Sequence, residues 1–565
     1  MICPYILHSN IPRPPQPNNP TNEERFNMTH YALYRTCHTE DFYLIINAFS
    51  PPKSITTLAN PGQFKGKRVG IIGGGLAGMS SAFELRKLGF DITILEASED
   101  RIGGRVYTYY FDREKTLYGE LGAMRIPVNH ETVWHYINLF NLRTQPFYQT
   151  DPNTFIYLHQ TRVRNDPYGK NVMKYIYPSF GLTSWERKAS WQELGYYGIE
   201  APILKAPPNV RSEIIQVKPK YSNQLLFWDS LNTRQMFEYR KLSQGAINLL
   251  SNLFPIGGEF LYNNYVDFVQ EYFPVNFWFM YEIKDGLVNL PLAFHKSFIS
   301  KIPWEYYPEI PMQQLGSVKW KAGKIVKGIY YKDSNVTLTY QNKSSQDIHY
   351  EDFDYVICAI PFSILRTMDI KPMFSSTKMQ AIKEVNYGNA QKSLFSCTTR
   401  FWEDQGVFGG GSYTDLPITT IWYPSHPPKS EKDMGKTGVP GVLVGSYNFN
   451  LDAVRLSNMP EKALAEKLKQ NVEEVHGLQR GTLDSIVTDS KTQEWNADPL
   501  FRGAFCYFTP EQKKLFSWEM VLPEYNNRVF FAGEHISALH RWMQGALQSG
   551  MEAANTLASS LSGRF

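Results

Sequence analysis

The sequence predicts an α/β fold built on a Rossmann-like nucleotide-binding unit. Residues 69–72 form a short apolar run that reads as a strand, 76–88 carry apolar positions at helical spacing, and 91–95 read as a second strand, so that the three make a βαβ unit. Between the first strand and the helix stands Gly73-Gly74-Gly75-Leu76-Ala77-Gly78, a G-x-G-x-x-G turn in the context that motif requires. At 565 residues the chain is too long for one hydrophobic core, so further domains are expected around a cleft.

Each segment has its own texture. Residues 1–60 hold a Pro-rich leader and then an apolar stretch at 42–49 followed by Pro51-Pro52, read as an N-terminal extension docked on the substrate domain. Residues 61–128 carry the βαβ unit. From about 151 to 281 come Pro/Tyr-rich loops and helical segments without a nucleotide motif, the mark of an inserted, mainly helical domain. Asp285-Gly286 begins a return to α/β texture, with strands expected at 318–331, 335–340 and 353–360. Runs at 406–412, 419–423 and 441–447 suggest another sheet, and the chain ends on a strand at 528–532 and a helix at 544–561. The nucleotide domain is therefore expected in three parts, 61–128, 283–385 and 521–565. An α+β substrate domain is expected in two, 129–160 and 386–520, with 161–282 inserted.

Composition removes several function classes. Lys and Arg number 58 against 54 Asp and Glu, and a formal charge of +4 over this length gives no case for nucleic acid or an anionic membrane. Five cysteines (Cys3, Cys37, Cys358, Cys397, Cys506) show no C-x-x-C pair and no regular spacing, so neither a metal site nor a disulfide framework is expected. No basic segment followed by an apolar core opens the chain, and no apolar run approaches the roughly 20 residues that cross a bilayer. These points lead to the expectation of a cytoplasmic protein; a homodimer or higher homo-oligomer is expected besides. The aromatics crowded between 221 and 281 read first as core.

The glycines of the motif allow a tight turn, backbone approach to a pyrophosphate, and close packing of helix on strand. Glu96, ending the second strand, is placed for ribose hydroxyls. NAD and FAD share this fingerprint; Arg101-Ile102-Gly103-Gly104-Arg105 follows closely and suits a second phosphate face.

At Gly103-Gly104-Arg105 the sequence resembles the flavin-dependent amine oxidase family, whose FAD-binding domain is of the GR2 type. The resemblance continues at Gly122-Ala123-Met124-Arg125, at Phe531-Ala532-Gly533-Glu534 and at Trp542-Met543-Gln544-Gly545-Ala546. It implies FAD as cofactor, held by Gly73, Gly75, Ala77, Gly78, Glu96, Ala97, Gly104, Arg105, Gly122, Ala123, Met124, Arg125, Val318, Gly533, Glu534, Trp542, Met543 and Ala546. Covalent attachment in this family uses a Cys in a Gly-Gly-Cys-Tyr segment; Gly503-Ala504-Phe505-Cys506-Tyr507 lacks the paired glycines, so a non-covalent flavin is expected.

The branch it most resembles is the L-amino-acid oxidases. That resemblance implies that Arg125 grips a substrate carboxylate, that Lys392 stands at a water beside flavin N5 as the catalytic lysine, that Trp422 or Tyr423 supplies an aromatic near the carboxylate, and that Trp542 walls the flavin. The block Phe401-Trp402-Glu403-Asp404 after Lys392 is close to one in animal-venom and fungal members. The reaction expected is oxidation of a free L-amino acid by oxygen to a 2-oxo acid, ammonia and hydrogen peroxide. An amino-acid monooxygenase, a simple amine oxidase, a flavin-binding protein without turnover and an NAD dehydrogenase are the alternatives. No general base is assigned to His426, His535 or His540, and Glu282, Asp229 and Glu259 are the candidates for holding a cationic side chain.

Overall fold

The computed structural model describes residues 12–253, 258–306, 308–345, 347–425 and 438–563, with the side chains of 258 and 259 left out. Its nucleotide domain is a five-stranded parallel sheet in the order Val318–Lys321, Asp91–Leu95, Arg68–Ile72, Tyr355–Cys358 and Val529–Phe531. Each of these strands except the edge strand Val318–Lys321 is buried almost throughout, as a sheet covered on both faces requires. Three distant parts of the chain thus build one sheet. The helix Leu76–Lys87 lies against the C-terminal helix Met543–Ser562, with Ser80 and Ser81 donating through Oγ to the carbonyls of Leu547 and Gly550 at 2.9 Å each.

The run expected as one strand at 318–331 is two. The left-handed turn at Gly323 (φ +67°) ends Val318–Lys321, which stays in the parallel sheet, and starts Lys324–Lys332, which enters an antiparallel sheet with Asn335–Asn342, Ile348–Phe353 and the parallel strand Asp369–Lys371. Periodicity alone cannot see this break, because both strands are apolar on one face.

A seven-stranded sheet forms the substrate side, in the order Val487–Glu494, Ala390–Cys397, Gly441–Phe449, Thr420–Trp422, Gly411–Thr414, Phe155–Leu158 and Thr161–Arg164. The boundary placed at 161 is therefore corrected: Thr161–Arg164 pairs with Phe155–Leu158, and helical texture begins beyond it. The insert holds short helices at Trp191–Ile199, Asn223–Asp229, Thr233–Tyr239, Gln244–Leu253 and Tyr265–Val269. Ser190 with Glu193 and Asn232 with Gln235 close capping boxes at two of their N-termini. The insert returns through Met280–Ile283, which pairs with Ile126–Pro127 and Thr144–Phe147.

The N-terminal extension touches more than the substrate domain. Its helix Asn22–Arg35 sends Arg25 to Glu131 (Nη2 to Oε2, 2.6 Å), and the carbonyls of Ala48 and Phe49 accept from Gln548 and Gln544 of the last helix at 2.8 and 2.7 Å. Asp41 reaches the insert at Arg211 (2.8 Å). Cys37 is disulfide-bonded, so the cysteines lend no support to the expected cytoplasmic location. Among the described residues no helix is long and apolar enough to cross a membrane.

The crossing of the two helices sets a sharp test. A Cβ on Gly550 would stand 2.0 Å from Ser80 Oγ and 2.3 Å from the Ala77 carbonyl oxygen, and that backbone atom cannot step aside. Gly550→Ala is expected to cost about 1–3 kcal/mol by overpacking. Thermal unfolding of the variant at the wild-type midpoint would show that the helices separate freely.

Candidate active site

A long cavity runs along the C-terminal ends of the parallel strands, where ligands of open α/β sheets bind. Gly73, Gly75 and Ala77 line it from the motif, and the first-turn N–H groups of Leu76–Lys87 lack intrahelical partners there. Gly74 is bare because a Cβ would meet the Trp320 indole at 2.3 Å, and its amide donates to Glu96 Oε2 at 2.7 Å. Burial raises the Glu96 pKa, opposed by the amides of Ser98 and Gly74. Glu96, Ala97, Gly104, Arg105, Gly122, Ala123, Gly533, Glu534, Trp542, Met543 and Ala546 line the same cavity.

Four expected cofactor residues stand off its wall. Gly78 lets helix meet strand, since a Cβ would lie 2.1 Å from the Gly73 carbonyl oxygen. Met124 is buried without lining the cavity, and Arg125 turns toward the substrate side. Val318 is corrected: it pairs with Ile92 on the edge strand away from the cavity, and Ile325 and Val326, beyond the Gly323 turn, line it instead. Ala359, Ile360 and Pro361, which follow a parallel strand directly, line the cavity without having been singled out in the sequence, as do Tyr447, which no motif marks, Arg541, just before the Trp542 motif, and Phe505, within the segment weighed only for covalent attachment.

Glu534 is the hub of the inner end. It accepts from Arg105 Nη1 at 2.8 Å, from the Cys506 amide at 3.1 and 3.3 Å, and from the Arg541 amide at 2.9 Å. Burial alone would raise its pKa, but Arg105 and the neighbouring donors outweigh that and hold it at about 2. His535 beside it is pushed down by burial to about 3 and is neutral. His540 Nδ1 lies 2.6 Å from Asp267 Oδ1. His426 falls outside the described residues.

On the substrate side Arg125 is half-buried, its Nη1 donating to Gln149 Oε1 at 2.9 Å, its Cζ 4.7 Å from the Trp422 ring, 5.6 Å from that of Phe277 and 5.9 Å from that of Phe147. Among the described residues no carboxylate makes an ion pair with it. Trp422 and Tyr423 point to opposite faces, as successive residues of a strand do. Trp422 joins the cluster around Arg125, whereas Tyr423 is corrected: its ring packs on the far face, and its hydroxyl lies 2.8 Å from both Ser412 Oγ and His476 Nε2. Lys392, on Ala390–Cys397, is fully enclosed. Its Nζ donates to the Gly122 carbonyl at 2.7 Å and sits 4.3 Å from the Tyr447 ring, and burial depresses its pKa to about 7. Burial lifts nearby Glu120 to about 7. Trp542 stands 5.0 Å from the His130 ring and 6.0 Å from that of Phe277.

The cationic-side-chain candidates are occupied elsewhere. Asp229 accepts from Asn264 Nδ2 at 2.5 Å and from the Lys514 amide, and Glu282 accepts from Gln145 Nε2 at 2.7 Å and is lifted by burial to about 8. Glu259 has no described side chain.

Residues 76–558 match the family model of the flavin-containing amine oxidoreductases. The chain belongs to this family. An L-amino-acid oxidase of Sistrurus catenatus edwardsii is 29% identical to the amine oxidoreductase described here over 514 residues, covering 88% of this chain and 87% of the relative. One from Vipera ammodytes ammodytes is 30% identical over 495 residues, covering 86% and 92%. Among solved structures, putrescine oxidase bound to putrescine matches with a TM-score of 0.64 at 15% identity over 86% of this chain and 98% of its own. Cyclohexylamine oxidase from Brevibacterium oxydans IH-35A matches at 0.62 and 15% over 88% and 99%. These share the fold. The oxidoreductase uses a flavin, and the glycine-bared loop, the free helix amides and Glu96 suit its adenosine diphosphate end.

Glu534 carries a pH signature. Its folded pKa lies below the ordinary value of 4.5, so the stability it contributes is present above that value and is lost as pH falls toward about 2. Glu534→Gln is expected to destabilise the protein by about 3 kcal/mol at pH 7. The gap between variant and wild type in denaturant unfolding should shrink between pH 4.5 and the acid limit of measurement. A gap that stays constant with pH would show that Glu534 is not charged in the fold.

Proposed function

We propose that this amine oxidoreductase oxidises a free L-amino acid at its Cα–N bond with oxygen as acceptor, releasing the 2-oxo acid, ammonia and hydrogen peroxide. Arg125 carries the reading. A guanidinium withdrawn from water costs several kcal/mol unless an anion matches it, and here the described residues give the half-buried Arg125 a carboxamide, three aromatic faces and no paired carboxylate. A substrate carboxylate is the matching group, and a bidentate contact would orient Cα. The names of the relatives support the same substrate class.

FAD, when bound, would supply the two-electron oxidation of the Cα–N bond with oxygen as final acceptor. The chain supplies geometry and dryness. Arg125 with Trp422 holds the carboxylate, and Trp542, Phe277 and Tyr447 exclude water, which strengthens the charge contact. Lys392 Nζ, depressed by burial to about 7, can give and take a proton near neutral pH at the oxygen-reactive face. The substrate imine then hydrolyses in water. The flavin is held without a covalent bond: the Cys506 thiol is buried with its pKa raised well above the usual range, and Ala504 and Phe505, not Cys506, line the cavity.

A charge-assisted contact is worth roughly 1.5–3 kcal/mol, and an unmatched buried carboxylate costs more, so Arg125→Ala should cut kcat/KM on the best amino acid by about 10- to 1000-fold while leaving flavin content intact. It should also narrow the preference for the amino acid over its decarboxylated amine. Equal turnover of that amine by the wild type would assign the chain to the simple amine oxidases.

Lys392→Met should slow reoxidation of the reduced enzyme by oxygen far more than it slows reduction by substrate. Stopped-flow traces with both half-reactions slowed alike would assign Lys392 a structural role only.

A further inference from the structure

The insert and the C-terminal segment meet at a buried charge cluster that the proposed reaction does not use. Arg541 sits at φ +75°, a left-handed conformation that a residue with a side chain adopts at a cost. Its side chain is 7% exposed. Nη2 donates to Asp267 Oδ2 at 2.8 Å and to the Asp267 carbonyl, and Nε lies 2.9 Å from Glu271 Oε1. Neither Nε nor Nη1 makes a hydrogen bond among the described residues, and of the two only Nε has a carboxylate in ion-pair contact; Arg541 lines the cavity with Trp542, Glu534 and Phe505. A buried, charged N–H left unmatched is costly, and that cost adds to the cost of the backbone conformation. Both are explained if a ligand atom completes the guanidinium.

The surroundings select that atom. One positive charge on Arg541 already faces two carboxylates, and His540 Nδ1 supports Asp267 from the other side at 2.6 Å. A third carboxylate would be repelled by the pair, and an ammonium would meet a donor. A neutral oxygen fits both constraints. The guanidinium Cζ lies 5.3 Å from the Phe260 ring and 5.9 Å from that of Phe505, flat walls that suit an aliphatic stem leading to it. The Phe277 ring, 5.6 Å from Arg125 Cζ, stands 6.0 Å from the ring of Trp542, the residue after Arg541, which links the two arginines through one aromatic wall.

We propose that Arg541 Nη1 receives the neutral oxygen at the end of the substrate side chain, so that the enzyme prefers an amino acid ending in a carboxamide over charged or hydrocarbon side chains of similar length. The proposal rests on the reading of Arg125 as the carboxylate site.

The test is a panel of L-glutamine, L-glutamate, L-lysine and L-norleucine, assayed for peroxide with wild type and Arg541→Lys, a change that keeps the charge facing Asp267 and Glu271. Wild-type kcat/KM is expected to be about 10- to 100-fold higher for glutamine than for norleucine, and Arg541→Lys should bring that ratio close to one. Flavin content and visible spectrum, read on both proteins, are expected to match. The proposal is overturned if wild type ranks glutamate, lysine or norleucine above glutamine. It is overturned equally if the variant loses the same factor on all four with an altered flavin spectrum, since Nη1 then serves the cofactor. The wild-type ranking decides the matter even if the variant does not fold. Peroxide from none of the 20 amino acids would instead bring down the amino-acid reading, and this proposal with it.

Discussion

A single carboxylate, that of Glu534, gathers the inner end of the cavity: it takes the Arg105 guanidinium from the first nucleotide segment, the Cys506 amide from the substrate side, and the Arg541 amide from the turn before the last helix. Each donor comes from a different stretch of chain. The charge is buried, so it persists only while these donors stay in place, and in return it fixes them to within a hydrogen bond's tolerance. The positions of Gly104, Ala504 and Trp542 around the cavity follow from that arrangement, because each is the near neighbour of one of the donors or of the carboxylate itself.

Around this hub the charges fall into two kinds. Glu534 and Asp267 are matched within the protein and Arg541 pairs with Asp267 and Glu271 while leaving Nη1 over, whereas half-buried Arg125 and enclosed Lys392 have no ionic partner in contact among the described residues. Matched pairs give rigidity; unmatched groups are costly in the empty protein and gain on binding. The separation is spatial as well, since the matched groups lie toward the nucleotide domain and the insert, and the unmatched ones lie on the seven-stranded sheet or facing it. That division is what lets a stable scaffold carry a site tuned for charge.

The nucleotide half of this was legible in the sequence because there the backbone itself dictates residue type. Gly74 and Gly78 are forced by contacts of 2.3 and 2.1 Å, and Glu96 by the amides it must accept, all within one local unit. What escaped depends on partners far along the chain. Val318 and Val326 are equally apolar, and only the turn at Gly323 decides which one faces the cofactor cavity. Trp422 and Tyr423 are adjacent aromatics whose roles are set by one residue of strand register. Arg541 gains meaning from Asp267 and Glu271 of the insert, and the disulfide at Cys37 cannot be inferred from five irregularly spaced cysteines.

The parallel sheet carries a consequence for how the protein is made. Its central strand, Arg68–Ile72, is bordered by Asp91–Leu95 and by Tyr355–Cys358, and the sheet closes only with Val529–Phe531. The helix that packs on Leu76–Lys87 is later still, Met543–Ser562. While a ribosome is building the chain, the first βαβ unit therefore waits for almost the entire polypeptide with its apolar faces uncovered, a slow, high-contact-order assembly exposed to aggregation. Cofactor capture belongs to the end of synthesis, and a nascent chain halted anywhere in the insert would emerge as a Rossmann fragment without the carboxylate, the last strand or the last helix that complete its nucleotide cleft.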